Sequence, residues 1–320
     1  MFNLVLVFLF TVLVAFFVSL PVIWALKVFR IGQVIREECP ASHRKKAGTP
    51  TMGGVAIILV VTLLVLILIN VDLSIKYASL LFMFLGFAVL GFTDDYLKIR
   101  KRQNRGLSGL QKIIMQIIFA SVFAGVLVYL GHAEGLTGLL KFFRLDAPYL
   151  YFVFVAFVII GSSNAVNLTD GLDGLAAGTL AIAFIAFGLI AFRLQHVNEA
   201  IIAFVAAGAV FSFLKFNFYP AEVFMGDVGS LALGALLAGV AILLHEELLL
   251  VVIGGVFVAE ASSVILQVSS FKLFKHRIFR MTPLHHHFEL VGVSERTIVL
   301  SFYLAAFLLA VIGFFVYRFI

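Results

Sequence analysis

The chain has 320 residues, of which 63% are hydrophobic and 12% are charged. Its mean hydropathy of +1.15 excludes a soluble globular protein and is typical of a helical protein that crosses a membrane several times. Cys39 is the single cysteine, so the chain cannot form an intramolecular disulfide or a cysteine-based metal site.

Ten apolar runs predict an all-α polytopic membrane protein. The runs do not alternate between apolar and polar residues, which argues against a β-barrel. They cover residues 2–26, 52–71, 77–94, 112–131, 148–166, 175–193, 198–214, 229–244, 248–270 and 300–318. The first run is followed by Lys27, Arg30 and Arg36, and no basic segment precedes it, so we expect a retained span rather than a cleaved signal peptide. Residues 1–320 are expected to form one membrane domain.

Lysine and arginine are distributed unevenly between the two sets of loops that these runs define. The odd-numbered loops hold 18 of these residues and the opposite face holds 5. Because basic loops stay in the cytoplasm, we predict cytoplasmic odd-numbered loops and both termini outside. The isoelectric point near 9.5 then reflects topology and contact with anionic lipids, and no nucleic-acid partner is expected.

The first basic loop ends in SHRKKAGTPTMGG, residues 42–54. Its glycines and Pro50 allow a tight backbone path, and Lys45, Lys46 and Thr51 are candidates to bind phosphate oxygens. The alternative interpretation is a basic loop that only enforces topology.

Asp94 and Asp95 are adjacent at the end of the third predicted span. Neighbouring carboxylates repel each other, so the pair indicates a Mg²⁺ ion or a nearby base that relieves the repulsion. One carboxylate would hold the metal while the other accepts a proton. The alternative is a solvated helix end whose acids pair with the basic run from Lys98 to Arg105.

The third basic-face loop reads NLTDGLDG, residues 167–174, and its spacing differs from that of an EF-hand calcium loop. Asn167 and Asp170 supply polar groups, and the glycines let the backbone approach a ligand such as a nucleoside. The alternative is helix capping, in which Asp173 is the N-cap of the sixth span. Capping leaves the other two polar residues unexplained.

The next loop reads FNFYPAEVFMGDVGS, residues 216–230. We expect Asp227 to lie at the positive N-terminus of a span that begins at Gly229, beside bound phosphate and metal. Phe224 is a candidate platform for base stacking. The neighbouring aromatic residues at 216, 218 and 219 are better explained as an interfacial belt.

The last basic loop contains His285, His286 and His287. Three adjacent histidines rarely converge on one metal ion, so phosphate contacts or proton transfer fit better, with a polar surface turn as the alternative. The ninth span is interrupted by polar residues, which predict a cavity-facing side or a bend. They are Glu260, Ser262, Ser263 and Gln267.

The five aspartates of these motifs all fall on one predicted membrane face. Carboxylates next to apolar helices are costly unless they are wetted, paired or bound to a cation. Together the clusters predict a cation-dependent active site at the membrane surface.

Five motifs in chain order resemble those of the phospho-N-acetylmuramoyl-pentapeptide transferase family, within the polyprenyl-phosphate N-acetylhexosamine-1-phosphate transferase superfamily. They are TPTMGG, FTDDYLK, NLTDGLDGLA, FNFYPAEVFMGDVGS and PLHHHFE. The resemblance implies transfer of phospho-MurNAc-pentapeptide from UDP-MurNAc-pentapeptide to undecaprenyl phosphate, giving lipid I and UMP in peptidoglycan synthesis. It also implies Mg²⁺, a multi-pass location in the bacterial plasma membrane with a cytoplasmic active site, a homodimer and a bent ninth helix.

The resemblance further implies roles for individual residues. Asp94, Asp95, Asp227 and His285 match catalytic positions, with Asp227 as the best magnesium ligand and Asp94 as a base for the lipid phosphate. The positions that match the substrate site are Lys46, Thr51, Asn167, Asp170, Asp173, Asn217, Phe224, His286 and His287.

Two other functions compete with this interpretation. A superfamily relative that transfers GlcNAc-1-phosphate to undecaprenyl phosphate shares the acidic motifs, but PLHHHFE favours the muramoyl-pentapeptide substrate. A magnesium channel or transporter would carry polar residues in mid-bilayer on several helices, whereas Glu260 is nearly alone at that depth.

Overall fold

A computed structural model describes residues 3–29, 46, 48–69, 74–101, 103, 106–135 and 147–317. Cys39, Arg30, Arg36 and Lys45 lie outside the described residues. The described part is helical, with a short 3₁₀-helix at His132–Gly135. Its α-helices are α1 (Leu4–Val28), α2 (Gly54–Leu68), α3 (Ile75–Lys101), α4 (Gly109–Tyr129), α5 (Pro148–Thr169), α6 (Leu175–Arg193), α7 (Val197–Asn217), α8 (Gly226–Leu243), α9 (Glu247–Ile253), α10 (Gly255–Phe274), α11 (Leu284–Val291) and α12 (Glu295–Val316).

Nine of the described helices are long and apolar enough to cross a membrane, which confirms the polytopic α-helical prediction. The second predicted span, 52–71, appears as the shorter α2 of 15 residues. It begins late because the preceding residues pair with another loop. Gly53 and Gly54 donate backbone hydrogen bonds to the carbonyl oxygens of Phe224 and Met225, at 2.8 and 2.9 Å.

Helix α8 forms the centre of the bundle, because 89% of its apolar window is buried inside the protein. Small residues let neighbouring backbones approach it closely. A Cβ atom on Gly91 of α3 would lie 2.2 Å from the carbonyl oxygen of Asp227, and one on Gly54 would lie 2.5 Å from the Cα of Gly229. This packing places the end of α3 directly beside the start of α8.

The peripheral helices leave apolar surface uncovered. Only 28% of the apolar windows of α1, α4 and α12 is buried, and the value for α10 is 22%. Exposed side chains such as Trp24, Phe157 and Leu304 would be costly in water. In a bilayer they face lipid tails, so this surface agrees with a multi-pass membrane protein.

The ninth span is broken, which confirms the predicted bend. Gly254 separates α9 from α10 with φ −85° and ψ 15°, values that interrupt the helix. The break lies at this glycine and not at the polar residues further along. Glu260 and Ser263 instead face the protein interior, and Gln267 accepts hydrogen bonds from the backbone N–H groups of residues 278 and 279.

Candidate active site

The three catalytic carboxylates predicted from the motifs meet where α3 ends and α8 begins. Asp94 and Asp95 lie near the end of α3, and Asp227 lies in the first turn of α8. One oxygen from each carboxylate lies within 4.8 Å of the others. Helix α8 starts at Gly226, three residues earlier than predicted, so Asp227 belongs to the helix and its carboxylate lies at the positive end of the helix dipole.

Two lysines enter this cluster from different helices. The Nζ atom of Lys98 lies 2.7 Å from Asp94 Oδ2 and 3.1 Å from Asp227 Oδ2. The Nζ atom of Lys112, in the first turn of α4, lies 2.9 Å from the same two oxygens. The ammonium groups therefore bridge Asp94 and Asp227, and they offset much of the cost of burying adjacent acids.

Hydrogen-bond donors orient each carboxylate. The backbone N–H of Leu107 donates to Asp94 Oδ1 at 2.7 Å, and that of Val228 donates to Asp95 Oδ2 at 3.3 Å. The side-chain amide of Asn167, in the last turn of α5, donates to Asp227 Oδ1 at 3.0 Å. Donors from two helices and one loop thus fix the positions of the carboxylate oxygens.

The cluster fits a divalent cation such as Mg²⁺, which prefers oxygen ligands. Asp94 Oδ2 is fully buried, yet within the described residues it receives no hydrogen bond of good geometry, although both ammonium groups are near it. Among the described groups, the three carboxylates exceed the two ammonium groups by one negative charge. A bound cation would coordinate the carboxylate oxygen that lacks an aligned donor, and it would neutralise the excess negative charge.

Asp170 joins the loop after α5 to the start of α8. Its carboxylate accepts a hydrogen bond from the backbone N–H of Gly226, the residue before Asp227. Burial raises the pKa of Asp170 to about 7, and the negative charge of Asp227 contributes in the same direction. Near neutral pH this carboxyl group can therefore either donate or accept a hydrogen bond.

Asp173 and Lys46 form a largely buried connection between four segments of the chain. Asp173 accepts from Lys46 Nζ at 2.7 Å and from the backbone N–H of Ala221 at 2.9 Å. Glu295, at the start of α12, also binds Lys46 and accepts from the Asp173 backbone N–H at 2.9 Å. Burial lowers the pKa of Lys46, but hydrogen bonds to Asp173 and Glu295 outweigh it and leave the pKa above its usual value.

The capping alternative for Asp173 is wrong. The N-cap of α6 is Gly174, with φ +80° and no side-chain capping bond. Only glycine adopts this left-handed conformation without strain, so the turn ends on Gly174 while the carboxylate of Asp173 points to Lys46 and Ala221.

Thr51, Asn217 and Phe224 lie on two segments that pair with each other. The backbone N–H of Phe224 donates to Pro50 O at 2.8 Å, next to the buried Thr51. Asn217 is buried and donates from Nδ2 to Val223 O at 2.9 Å, whereas its Oδ1 atom has no partner in the described part of the chain. The Phe224 side chain is half-buried, so part of the ring stays accessible.

The three histidines lie on α11 and face different partners. His285 is fully buried, and its Nδ1 atom lies 3.1 Å from Glu260 Oε1. His286 Nδ1 lies 2.7 Å from a carboxylate oxygen of Glu289. The Nδ1 atom of His287 accepts from the backbone N–H of Arg280 at 3.2 Å. The expectation that they would not converge on one metal ion agrees with this arrangement.

Two residues of the site were not predicted from the sequence, and a third was predicted only as an ion-pair partner. Lys112 appeared only as the first residue of a predicted span, and Glu295 was not singled out. Lys98 was considered as an ion-pair partner, and its i+4 spacing from Asp94 is the local signal for that pair. For Lys112 and Glu295 the chain carries no comparable local signal, because both reach the site from distant helices.

The fold and the site define a class of protein, the polytopic helical membrane proteins with a buried acidic centre at the ends of their helices. A family model described as glycosyl transferase family 4 matches residues 77–245, and a model for phospho-N-acetylmuramoyl-pentapeptide-transferase signature 1 matches residues 46–58. The first match covers more than half of the chain.

Curated relatives identify the particular family. Phospho-N-acetylmuramoyl-pentapeptide-transferase of Bacillus subtilis (strain 168) is 50% identical over 316 residues, covering 97% of this chain and 98% of the relative. The protein of that name from Bacillus pumilus is 49% identical with the same coverage, and one from Bacillus anthracis is 48% identical over 298 residues, 91% of this chain and 90% of the relative. The chain belongs to the phospho-N-acetylmuramoyl-pentapeptide-transferase family.

Proposed function

We propose that the chain transfers phospho-MurNAc-pentapeptide from UDP-MurNAc-pentapeptide to undecaprenyl phosphate, which yields lipid I and UMP in peptidoglycan synthesis. The observation that carries the proposal is the buried cluster of Asp94, Asp95 and Asp227 with Lys98 and Lys112, in a chain of this family. One substrate is a lipid and the other is a soluble nucleotide sugar. The reaction therefore needs a charged site at the end of a membrane bundle, and this cluster lies at helix ends.

The two lysines suit the anionic groups that must meet in this reaction. The lipid phosphate attacks the β-phosphorus of the nucleotide sugar, and UMP leaves with the negative charge that develops on its phosphate. Lys98 and Lys112 each bridge Asp94 and Asp227. With these carboxylates holding a divalent cation, the flexible lysine side chains would be available to bind the diphosphate and the lipid phosphate.

Asp227 is the proposed magnesium ligand, with Asp94 and Asp95 as its neighbours. When bound, Mg²⁺ neutralises charge on the diphosphate and on the leaving phosphate. Asp227 suits this role because Asn167 holds Oδ1 at 3.0 Å while Oδ2 faces the space between the two lysines. Asn167 thus orients the carboxylate without occupying the oxygen proposed to bind the metal.

Asp94 is the proposed base for the lipid phosphate. The Leu107 N–H holds its Oδ1 atom, which leaves Oδ2, beside the ammonium groups of Lys98 and Lys112, as the oxygen that would accept the proton.

The loops beside the acid cluster are the proposed nucleotide-sugar site. Asp170 can donate or accept a hydrogen bond, Asn217 retains an unused amide oxygen, and Phe224 offers part of its ring to a base. Thr51 follows Pro50, whose carbonyl oxygen accepts a hydrogen bond from the Phe224 N–H, and Lys46 lies just before this segment in the chain. We place this site on the cytoplasmic side and infer a homodimer, as the charge distribution and the family resemblance suggest.

Turnover by the purified protein tests the proposal. UMP release is measured with undecaprenyl phosphate and either UDP-MurNAc-pentapeptide or UDP-GlcNAc, with Mg²⁺ and with excess EDTA. We expect Mg²⁺-dependent release with the first nucleotide sugar only. Release with UDP-GlcNAc alone would assign the chain to the GlcNAc-1-phosphate transferases. Mg²⁺ uptake into proteoliposomes without any UMP release would support a transporter.

A further inference from the structure

Glu260 is a buried acid that the proposed reaction does not use. It lies on α10, where the few buried positions are Val256, Phe257, Glu260 and Ser263. Its side chain is 0% exposed, and the same is true of His285. A buried carboxylate on an otherwise exposed helix is costly unless a specific partner compensates for it. The partner here is His285 of α11.

The contact between these side chains fixes the imidazole of His285. Glu260 Oε1 lies 3.1 Å from His285 Nδ1 and also accepts the backbone N–H of His285 at 3.2 Å. A carboxylate oxygen at this position acts as an acceptor, so Nδ1 carries a proton. In the neutral ring the lone pair is then on Nε2. The second hydrogen bond, from the His285 backbone N–H to the same Glu260 oxygen, ties the orientation of the ring to that of α11.

The Nε2 atom of His285 is directed at the loop after α5. A Cβ atom on Gly171 would lie only 2.2 Å from it. Within the described residues this buried nitrogen has no hydrogen-bond partner. A buried polar atom without a partner costs free energy, and such atoms are retained where a ligand uses them.

The same loop reaches the acid cluster from its other side. Asp170, next to Gly171, accepts a hydrogen bond from the Gly226 N–H, and Asn167 binds Asp227 directly. The segment 167–171 therefore connects His285 with the carboxylate cluster. An imidazole nitrogen held against this segment is positioned to bind a substrate phosphate or sugar hydroxyl.

We propose that Glu260 is a positioning residue, which fixes the tautomer and orientation of His285 so that Nε2 serves the transferred phospho-sugar. This inference rests on the proposed function. Glu260 contacts His285 and acts through it, in the way that an acidic partner orients a histidine ligand or base. Ser263 lies one turn away on the same buried side of α10, and its hydroxyl donates to the Glu260 backbone oxygen at 2.7 Å.

Kinetics of UMP release by Glu260→Gln, Glu260→Ala and the matched control Ser263→Ala test this role. We expect Glu260→Ala to lower kcat about 10- to 100-fold with little change in KM, Glu260→Gln to restore part of the loss, and Ser263→Ala to behave as wild type.

A double-mutant cycle separates positioning from a general structural effect. If Glu260 acts through His285, the Glu260→Ala/His285→Gln variant should be no slower than His285→Gln alone. Losses that multiply, or a Glu260→Gln enzyme with the wild-type kcat, would overturn the positioning role. UMP affinity, measured by calorimetry, should be unchanged in all variants and reports that they are folded. If wild type itself releases no UMP, the proposed function fails, whereas inactivity confined to variants bears on Glu260.

Discussion

Replacing Asp227 with asparagine removes one charge from the proposed magnesium site and keeps the shape of the side chain. Asp227 Oδ2 lies 2.9 Å from Lys112 Nζ and 3.1 Å from Lys98 Nζ, and the carboxylate is 15% exposed. After the substitution, two carboxylates face two ammonium groups, so the metal-free cluster is electrically balanced. We therefore expect Asp227→Asn to fold and to change the free energy of unfolding by no more than about 1 kcal/mol.

Binding of a divalent cation is affected much more strongly. Two unit charges about 4 Å apart interact by about 4 kcal/mol at an effective dielectric constant near 20, and a direct ligand to a divalent ion loses at least that amount. A loss of about 4 kcal/mol corresponds to a decrease in turnover of about 1,000-fold. We expect UMP release by Asp227→Asn at saturating substrate to fall by at least this factor.

The matched control is Glu222→Gln, which removes a carboxylate five residues away. Glu222 pairs with Lys27 at 2.9 Å, and the two side chains are 56% and 48% exposed. Exposed pairs contribute little, so this variant should keep turnover within about twofold of wild type. Near-normal turnover by Asp227→Asn would refute its role as a metal ligand, and loss of folding would refute the charge balance that we infer.

Three further predictions follow from contacts of the described residues. Lys112→Met removes one of the two ammonium groups that compete with a metal ion for the carboxylates. Mn²⁺ affinity, measured by electron paramagnetic resonance, should therefore increase about 10-fold while kcat falls. An unchanged Mn²⁺ affinity would contradict this competition. Gly171→Ala places a Cβ atom 2.2 Å from His285 Nε2 and should reduce UMP release more than about 10-fold, whereas Gly109→Ala, with nothing within 4 Å of its Cβ, should leave it unchanged. Burial lowers the pKa of His245 to about 4, and the charge of His132 is the second cause. Between about pH 6.5 and 4 the unfolded state therefore binds more protons than the folded state. The His245 contribution should lower the stability by about 1 kcal/mol as the pH falls through this window. Thermal unfolding at pH 5 and pH 7.5 measures the change in stability. His245→Asn, which suits the local φ of +58°, removes this one contribution, so the variant should lose less stability than wild type on going from pH 7.5 to pH 5.

Much of the architecture could be read from the chain because a bilayer imposes simple constraints. Each span must be apolar over about 20 residues, and this requirement alone locates the helices to within a few residues. The late start of α2 at Gly54 and the early start of α8 at Gly226 were not predictable in this way. Both boundaries depend on contacts between residues 50–54 and 224–226, which are distant in the chain.

The acidic part of the site was also visible in the sequence. Carboxylates beside apolar helices require a partner or a cation, so Asp94, Asp95 and Asp227 could be grouped before any contact was known. Their association is confirmed by carboxylate oxygens that lie within 4.8 Å of one another. Their individual roles in catalysis stay predictions.

The sequence by itself therefore determined the apolar spans and the acidic motifs, because hydrophobicity and charge are properties of each residue. Tertiary structure decided the partners. Lys112 reaches Asp227 from α4, Glu295 reaches Lys46 from α12, and Glu260 meets His285 across the turn between α10 and α11. These contacts depend on how closely helices pack at positions such as Gly91, where a single Cβ atom would collide with α8. Such distances are properties of the packed bundle, so no local pattern in the chain encodes them.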